Sequence, residues 1–263
     1  MRNDQMINVQ ELTVTRDVTI LDNISWSMKK GENWAILGPN GSGKTTLISV
    51  LTAYVTMTSG KITLLGREYG EYDWRTLRKS VGIISSQISE AILPSITVTD
   101  LVISGKHAML NNWFEPLYHE RNRALGLLEK YHCAYLAKRK WKQLSVGEKQ
   151  RVMTARAFMA EPELLIMDEP CAGLDPVARQ RFINYCEKMF SKDEAPALVL
   201  ITHHIDEIIP EITHVMLMKE GQVAMQGRKT DIMTAENLSK LYDAAVMLNY
   251  NKGRYYAEYC LSI

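Results

Sequence analysis

Residues 38–45 read Gly-Pro-Asn-Gly-Ser-Gly-Lys-Thr, a spacing of glycines, lysine and hydroxyl that suits the binding of phosphate. Lys44 can reach the outer phosphates of a nucleotide as a point charge, and the Thr45 hydroxyl can ligate magnesium. The glycines let the backbone bend, so that successive N–H groups point at the anion; they are Gly38, Gly41 and Gly43.

The segments on either side of this loop have the order that a phosphate loop requires. Trp34–Leu37 is a short apolar run typical of a buried strand, and the segment from Thr46 to Leu51 is typical of a helix. The positive end of that helix's dipole adds to the attraction for phosphate. The pattern predicts a P-loop whose nucleotide-binding residues are Gly38, Pro39, Asn40, Gly41, Ser42, Gly43, Lys44, Thr45 and Thr46.

A second nucleotide signal is a pair of acidic residues that follows an apolar run at Leu164–Met167. Asp168 stands at the end of this predicted strand, where it can hold magnesium through water, and Glu169 can orient and activate an attacking water. Taken alone, the pattern fits a strand followed by solvated acids equally well. The P-loop favours the nucleotide interpretation.

Between these signals, Ser145 and Glu148 form the pattern of a capping box that begins a helix over Lys149–Met159. The plain structural interpretation is a well-capped helix N-terminus. The functional one is that this N-terminus and the Ser145 hydroxyl meet a second phosphate, supplied by another molecule.

Composition narrows the class of protein. The 263 residues carry 31 basic and 30 acidic side chains, a net charge of +1, so we expect no nucleic-acid partner and no polybasic membrane anchor. The four cysteines are scattered, and reduced thiols are expected rather than a disulfide framework or a zinc site. The polar segment Met1–Met6 does not resemble a secretory leader, and no run of about 18 apolar residues occurs, so we expect any membrane role to come through a partner.

The order of predicted elements indicates an α/β fold. Apolar runs such as Leu198–Ile201 hardly alternate, as expected for parallel strands buried on both faces. Residues 88–160 carry little strand signal, and Arg121–Leu136 is predicted to be helical. We therefore predict an α/β core over about 1–87 and 161–250 with an inserted helical lobe at 88–160. The tail after Gly227 is short and mixed, too small for an independent domain.

Taken together, these residues resemble those of an ATP-binding cassette (ABC) ATPase subunit, and the resemblance covers about residues 6–250 in the family's order. The matching segments are Gly38–Thr45 (Walker A), Gln87 (Q-loop), Leu144–Glu148 (signature), Leu164–Glu169 (Walker B), Ala172–Asp175 (D-loop) and Thr202-His203 (switch histidine). Alone, Gln87 would be read as a surface residue, His203 as a structural histidine and Asp175 as a helix N-cap. His204 follows directly, and we assign the switch role to His203.

This resemblance implies a single ABC ATP-binding domain over 1–263, with a P-loop NTPase (RecA-like) core, a mostly parallel sheet, an antiparallel N-terminal part and an inserted helical subdomain. It implies a magnesium-dependent ATPase. The implied catalytic residues are Glu169, His203, Gln87 and Lys44; the implied magnesium ligands are Thr45, Gln87 and Asp168; and Ser145, Gly147 and Asp175 join the nucleotide site.

The implied partners are a second copy of the chain, in a head-to-tail dimer that sandwiches ATP, integral membrane permease subunits and, in an importer, a substrate-binding protein. The implied location is the cytoplasmic face of the cell membrane, and the permease and any binding protein choose the substrate. A helical-lobe groove near Gln87 would receive the permease. The apolar residues after it, Ile88, Ile92, Leu93 and Ile96, fit either that surface or the lobe's own core.

Three departures from the family pattern stand out. Val146 replaces a usual glycine of the signature, and Glu148 stands where glutamine is common, which adds negative charge near an incoming nucleotide. The aromatic residue that usually stacks on adenine is replaced near Thr15 and Arg16. We hypothesise that the Arg16 guanidinium stacks on the base.

Two classes of function fit the sequence. The first is the energy-coupling subunit of a membrane transporter, of importer type because the chain has one short cassette and no fused membrane segment. The second is a soluble ABC ATPase that acts on a cytosolic protein assembly.

Overall fold

The computed structural model describes residues 4–110 and 115–260, so the first three residues of the polar N-terminal segment lie outside the described part. The helices are α1 (Lys44–Leu51), α2 (Trp74–Leu77), α3 (Ser86–Glu90), α4 (Val98–Ser104), α5 (Tyr118–Lys130), α6 (Val146–Ala157), α7 (Pro176–Phe190), α8 (Lys229–Ile232) and α9 (Ala235–Tyr242). The strands are β1 (Gln5–Thr15), β2 (Thr19–Lys29), β3 (Trp34–Leu37), β4 (Ser59–Leu64), β5 (Arg67–Glu68), β6 (Val81–Ser85), β7 (Leu164–Asp168), β8 (Ala197–Thr202), β9 (His214–Lys219), β10 (Gln222–Arg228), β11 (Ala245–Asn251) and β12 (Arg254–Cys260).

These elements form two compact units, Met1–Trp74 with Tyr185–Ile263, and Arg75–Asn184. Among the described residues, no helix is both long enough and apolar enough to cross a membrane. The predicted limits of the helical lobe, 88–160, stay a prediction.

The first unit contains an antiparallel sheet of order β2-β1-β4-β5. Apolar side chains alternate along β1 and β2, and the inward set, which includes Val9, Leu12 and Ile24, is buried. This alternation is the mark of a sheet with one face on a core. β1 and β2 form a hairpin in which Thr15 lies opposite Thr19.

The same unit contains parallel strands, with β3 paired to β8 on one side and to β9 on the other. Every residue of β3 is buried, as its unbroken apolar sequence predicts. Leu37, the last residue of β3, lies opposite Thr202 of β8 and Leu217 of β9. Because parallel strands end at the same edge, the segments that follow Leu37 and Thr202 leave the sheet side by side.

The turn-rich sequence Lys219-Glu220-Gly221-Gln222 predicts a hairpin, and the structure confirms it between β9 and β10: Lys219 lies opposite Gln222, and Glu220 and Gly221 both have positive φ. The tail beyond it is more regular than its sequence indicated. It contains α8, α9 and a hairpin of β11 and β12, whose strands were not predicted because most of their side chains are exposed and their alternation is weak.

The second unit contains β6 and β7, a parallel pair in which Ser85 lies opposite Asp168, together with α3 to α6. The predicted helix over Arg121–Leu136 is wrong in its second half. α5 ends at Lys130 because His132 adopts a left-handed backbone with φ of 54°, and a separate 3-10 turn covers Ala134–Leu136.

Candidate nucleotide site

The glycines of the loop between β3 and α1 are required by its backbone. Gly41 and Gly43 have φ of 81° and 95°, values that side chains oppose. Gly38 has no room for one, since a Cβ there would lie 2.2 Å from the carbonyl oxygen of Met218. The loop therefore has the tight, N–H-rich geometry of a phosphate cradle.

Lys44 lies across this loop. Its Nζ donates to the carbonyl oxygens of Gly38, at 2.8 Å, and Pro39, at 2.9 Å, and the side chain is buried. The buried ammonium is thus held at the mouth of the loop, where a phosphate would meet it. The loop's own backbone carbonyls compensate its charge.

The start of α1 fits a polyphosphate. Its N-cap is Gly43, which has no side chain to accept from the N–H groups of the first turn, and that turn carries no acidic residue. The Ser42 hydroxyl is buried in the loop and has no hydrogen-bond partner in the described part of the chain. These donors suit an anionic ligand, and Thr45, at the second helical position, has a hydroxyl of the kind that magnesium accepts.

His203 follows Thr202 at the end of β8, next to the strand that leads into the glycine loop. Its ring is half-buried and lies 4.0 Å, centre to centre, from the exposed ring of His204. The Thr202 hydroxyl anchors this segment, because it donates to the buried Glu207 carboxylate at 2.6 Å and accepts from the His204 N–H at 3.0 Å. The catalytic role of His203 stays a prediction.

Thr15 and Arg16 lie at the exposed end of the β1–β2 hairpin. The Thr15 hydroxyl is 3.3 Å from that of Thr19, and the backbone N–H of Arg16 donates to the Val18 carbonyl oxygen at 3.0 Å. β2 begins beside the glycine loop, since a Cβ on Gly43 would lie 2.6 Å from the Leu21 side chain. The hairpin that carries Arg16 is therefore on the phosphate loop's side of this unit.

In the second unit, Asp168, Glu169 and Gln87 lie at the C-terminal end of the β6–β7 pair. Asp168 is buried at the tip of β7, opposite Ser85, and Glu169 follows it with a left-handed φ of 48°. Gln87 is exposed in the first turn of α3, where its N–H donates to the Ser85 hydroxyl at 3.2 Å. Gln87 and Glu169 thus leave neighbouring strands at the same edge of the pair.

The capping box predicted at the start of α6 is confirmed, and the helix begins at Val146, three residues earlier than predicted. Ser145 Oγ accepts from the Glu148 N–H at 3.3 Å, and the Glu148 carboxylate accepts from the Ser145 N–H at 2.8 Å. The backbone hydrogen bond from Ser145, followed by bonds from the hydroxyls of Ser145 and Tyr135, lowers the pKa of Glu148. Glu148 is therefore a carboxylate, and the Arg139 guanidinium lies 3.9 Å from it.

Asp175 caps α7. Its Oδ1 accepts from the N–H groups of Val177 and Ala178, each at 2.9 Å, and Pro176 occupies the first helical position. The plain structural interpretation of Asp175 is confirmed. Its part in a nucleotide site stays a prediction.

The comparisons with known proteins decide the family. Residues 21–172 match the family model described as ABC transporter. This chain belongs to the ABC transporter family. It is 36% identical over 236 residues, 89% of both chains, to an uncharacterized ABC transporter ATP-binding protein, YlmA, of Bacillus subtilis. It is 35% identical over 242 residues to a putative ABC transporter ATP-binding protein of Streptococcus mutans, and the match covers 92% of this chain and 93% of that protein.

Solved structures of the family share the fold. The chain superposes with a TM-score of 0.73 on cbiO1 of Clostridium perfringens, described as part of the ABC transporter complex cbiONQ, at 30% identity over 90% of this chain and 94% of that one. The P-loop NTPase fold and the ATPase activity predicted from the motifs are confirmed. The chain is an ATP-binding, ATP-hydrolysing cassette of this family.

Sequence reasoning missed two residues beside His203. Glu207 holds the Thr202 hydroxyl, and the Tyr242 hydroxyl donates to the His203 carbonyl oxygen at 3.3 Å. Glu207 could have been suspected as a carboxylate four residues beyond the histidine. Tyr242 carries no sequence signal, because its contact joins segments 39 residues apart.

Proposed function

We propose that this chain is the energy-coupling subunit of a transporter of importer type, in which two copies close head to tail around ATP and drive a separate permease. The observation that carries the proposal is the exposed start of α6. Ser145 and Val146 are exposed, and a Cβ on Gly147 would meet no atom of residues 4–110 and 115–260 within 4 Å. A capped helix N-terminus with an open backbone and an exposed valine suits contact with a phosphate brought by a second molecule.

Within this proposal each site residue has a chemical role. Lys44 and the α1 N-terminus bind the outer phosphates, and the partner copy's signature segment contacts the same ATP. Magnesium would neutralise charge at the phosphate oxygens; its proposed ligands are Thr45, Gln87 and Asp168. Glu169 activates the attacking water and His203 stabilises charge on the outer phosphate. Asp175, together with Ser145 and Gly147, belongs to the interface between copies.

The proposed permease contact uses the segment after Gln87. Ile92 is buried and belongs to the lobe's own core, whereas Leu93 is 46% exposed. Ile88 and Ile96 are half-buried, so Leu93 is the most exposed of the four apolar residues and the one best placed to meet a permease. The importer type is supported by a 30% identical relative named as a phosphonates import ATP-binding protein, from Hydrogenovibrio crunogenus. Through the permease the chain would lie on the cytoplasmic face of the membrane.

The test is recovery of tagged Glu169→Gln protein from detergent-solubilised native membranes with ATP and magnesium present. The proposal predicts a multi-span membrane protein in stoichiometric amount. Leu93→Glu should lower that recovery, whereas Leu125→Glu, which alters a similarly exposed leucine on α5, should not. Recovery of soluble partners alone would instead support an ABC ATPase that acts on a cytosolic assembly.

A further inference from the structure

The C-terminal end of α9 contacts the segment that carries His203. The Tyr242 hydroxyl donates to the His203 carbonyl oxygen at 3.3 Å. Tyr242 is mostly buried against the C-terminal hairpin, with the Tyr259 ring edge-on at 5.5 Å between centres. Burial raises the pKa of the Tyr242 phenol, so the hydroxyl keeps its proton and remains a donor.

The same end of α9 is also bound to the turn between β9 and β10. Lys219, at the end of β9, donates to the Lys240 carbonyl oxygen at 3.2 Å and to both Asp243 carboxylate oxygens at 2.6 and 2.7 Å. A lysine on the final carbonyls of a helix is also favoured by the helix dipole. Residues 240–243 are therefore held from two sides.

The β9–β10 turn also contacts the phosphate loop. The Gly221 N–H donates to the Ser42 carbonyl oxygen at 3.2 Å, and the Met218 carbonyl lies against Gly38. A continuous set of contacts thus runs from the phosphate loop through the β9–β10 turn and the end of α9 to the backbone of His203. All of it lies in the first unit.

The hairpin behind Tyr242 is itself anchored. Arg254, which is 9% exposed, donates from Nε to the Glu187 carboxylate at 2.5 Å. Val246 of β11 is buried, and its N–H donates to the Ser239 hydroxyl of α9 at 2.9 Å. Tyr242 therefore sits on a fixed support rather than on a loose tail.

We propose that Tyr242 is a positioning residue for His203: its hydroxyl fixes the backbone from which the imidazole projects, and α9 sets that backbone relative to the phosphate loop. The inference rests on the proposed role of His203. Because the phosphate loop keeps its own contacts without the hydroxyl, loss of this hydrogen bond should affect turnover and leave ATP binding intact.

The experiment compares ATPase turnover and ATP affinity in Tyr242→Phe, His203→Ala and the double variant, with Tyr250→Phe as the matched control on the exposed face of the hairpin. Tyr242→Phe should lower kcat about fivefold, the size expected for one hydrogen bond, with ATP affinity unchanged. Tyr250→Phe should have no effect. In the His203→Ala background, Tyr242→Phe should add no further loss.

Two results would overturn the positioning role of Tyr242 and leave the proposed role of His203 intact. In the first, His203→Ala lowers turnover but Tyr242→Phe has no more effect than Tyr250→Phe. In the second, Tyr242→Phe lowers turnover by the same factor in the wild type and in His203→Ala. A wild-type turnover of His203→Ala would remove the proposed role of His203, and the positioning role of Tyr242 with it.

Discussion

The hydroxyl of Ser145 donates to the carboxylate of Glu148 at 3.0 Å while it accepts from the Glu148 N–H. The residue proposed to meet the partner's ATP is therefore hydrogen-bonded to an anion of its own helix. The Tyr135 hydroxyl donates to the other Glu148 oxygen at 3.1 Å, and the Arg151 guanidinium donates to Tyr135 at 3.0 Å. A phosphate that approaches Ser145 must compete with this carboxylate.

Glu148→Gln should therefore promote ATP-driven pairing of two copies. Glutamine can keep the cap through its side-chain oxygen, but it removes the negative charge beside the phosphate. In the Glu169→Gln background we expect half-maximal dimerisation at an ATP concentration lower by about three- to tenfold. Titration of the dimer fraction with ATP tests this, with Glu163→Gln, an exposed carboxylate of the same unit, as the control. An unchanged or raised midpoint would contradict it.

Lys44→Ala should abolish useful nucleotide binding. The buried ammonium is the cation held across the glycine loop, and charged hydrogen bonds to phosphate contribute about 3 kcal/mol, which is on the order of 10²-fold in Kd. Fluorescent-nucleotide binding measures it. Lys61→Ala, on the exposed side of β4, should bind as the wild type does, and near-normal affinity of Lys44→Ala would refute the assignment.

Arg16→Ala tests the site for the base. If the guanidinium stacks on adenine, its removal should raise the Kd for ATP about threefold to fivefold while the phosphate contacts remain. Because stacking needs only a π-face, the Kd for GTP should rise by a similar factor. Isothermal titration of Arg16→Ala, Thr15→Ala and the exposed-arginine control Arg228→Ala decides the point. ATP affinity unchanged in both Arg16→Ala and Thr15→Ala would end the hypothesis.

Glu120, at the start of α5, is a stability determinant of the second unit. It is 2% exposed and accepts from Lys106 at 2.8 Å and from the Leu117 N–H at 3.0 Å. The Lys106 hydrogen bond, opposed by burial, is the largest cause that lowers the pKa of Glu120 from 4.5 to about 2. A carboxylate with a lowered folded pKa stabilises the protein above its unfolded pKa, and this stabilisation is lost as the pH falls toward the folded value.

Glu120→Gln should therefore cost about 2 kcal/mol at pH 7 and progressively less below pH 4.5. Thermal midpoints across this pH range measure the difference from the wild type. Glu129→Gln, an exposed change on the same helix, should leave the midpoint within experimental error at every pH. A cost for Glu120→Gln that did not shrink in acid would contradict the assignment.

The sequence predicted the elements whose patterns are local. The run Trp34–Leu37 with its glycine loop, the capping box at Ser145 and the β9–β10 turn all have short-range signals, and each is present in the structure. The α/β class followed from the same patterns.

What the sequence could not predict depends on distant contacts or on single backbone angles. The left-handed residue His132 ended a helix that the periodicity would have continued, and the exposed strands β11 and β12 lack a buried face to reveal them. Tyr242 was unpredictable because its partner, His203, is brought to it by tertiary packing alone. The exposed state of Leu93 beside buried Ile92 likewise required the structure.

The central claim is that ATP binding pairs two copies and that Glu169 activates the water that hydrolyses this ATP, which releases the pair. Glu169 lies directly after the buried strand β7, and its replacement by glutamine keeps shape while removing the base. The most direct measurement is the mass of Glu169→Gln in solution, by sedimentation, with and without magnesium and ATP. We predict a stable dimer with ATP, a monomer without it, and a turnover at least about 10²-fold below wild type. A monomer at saturating ATP, or wild-type turnover, would contradict the account.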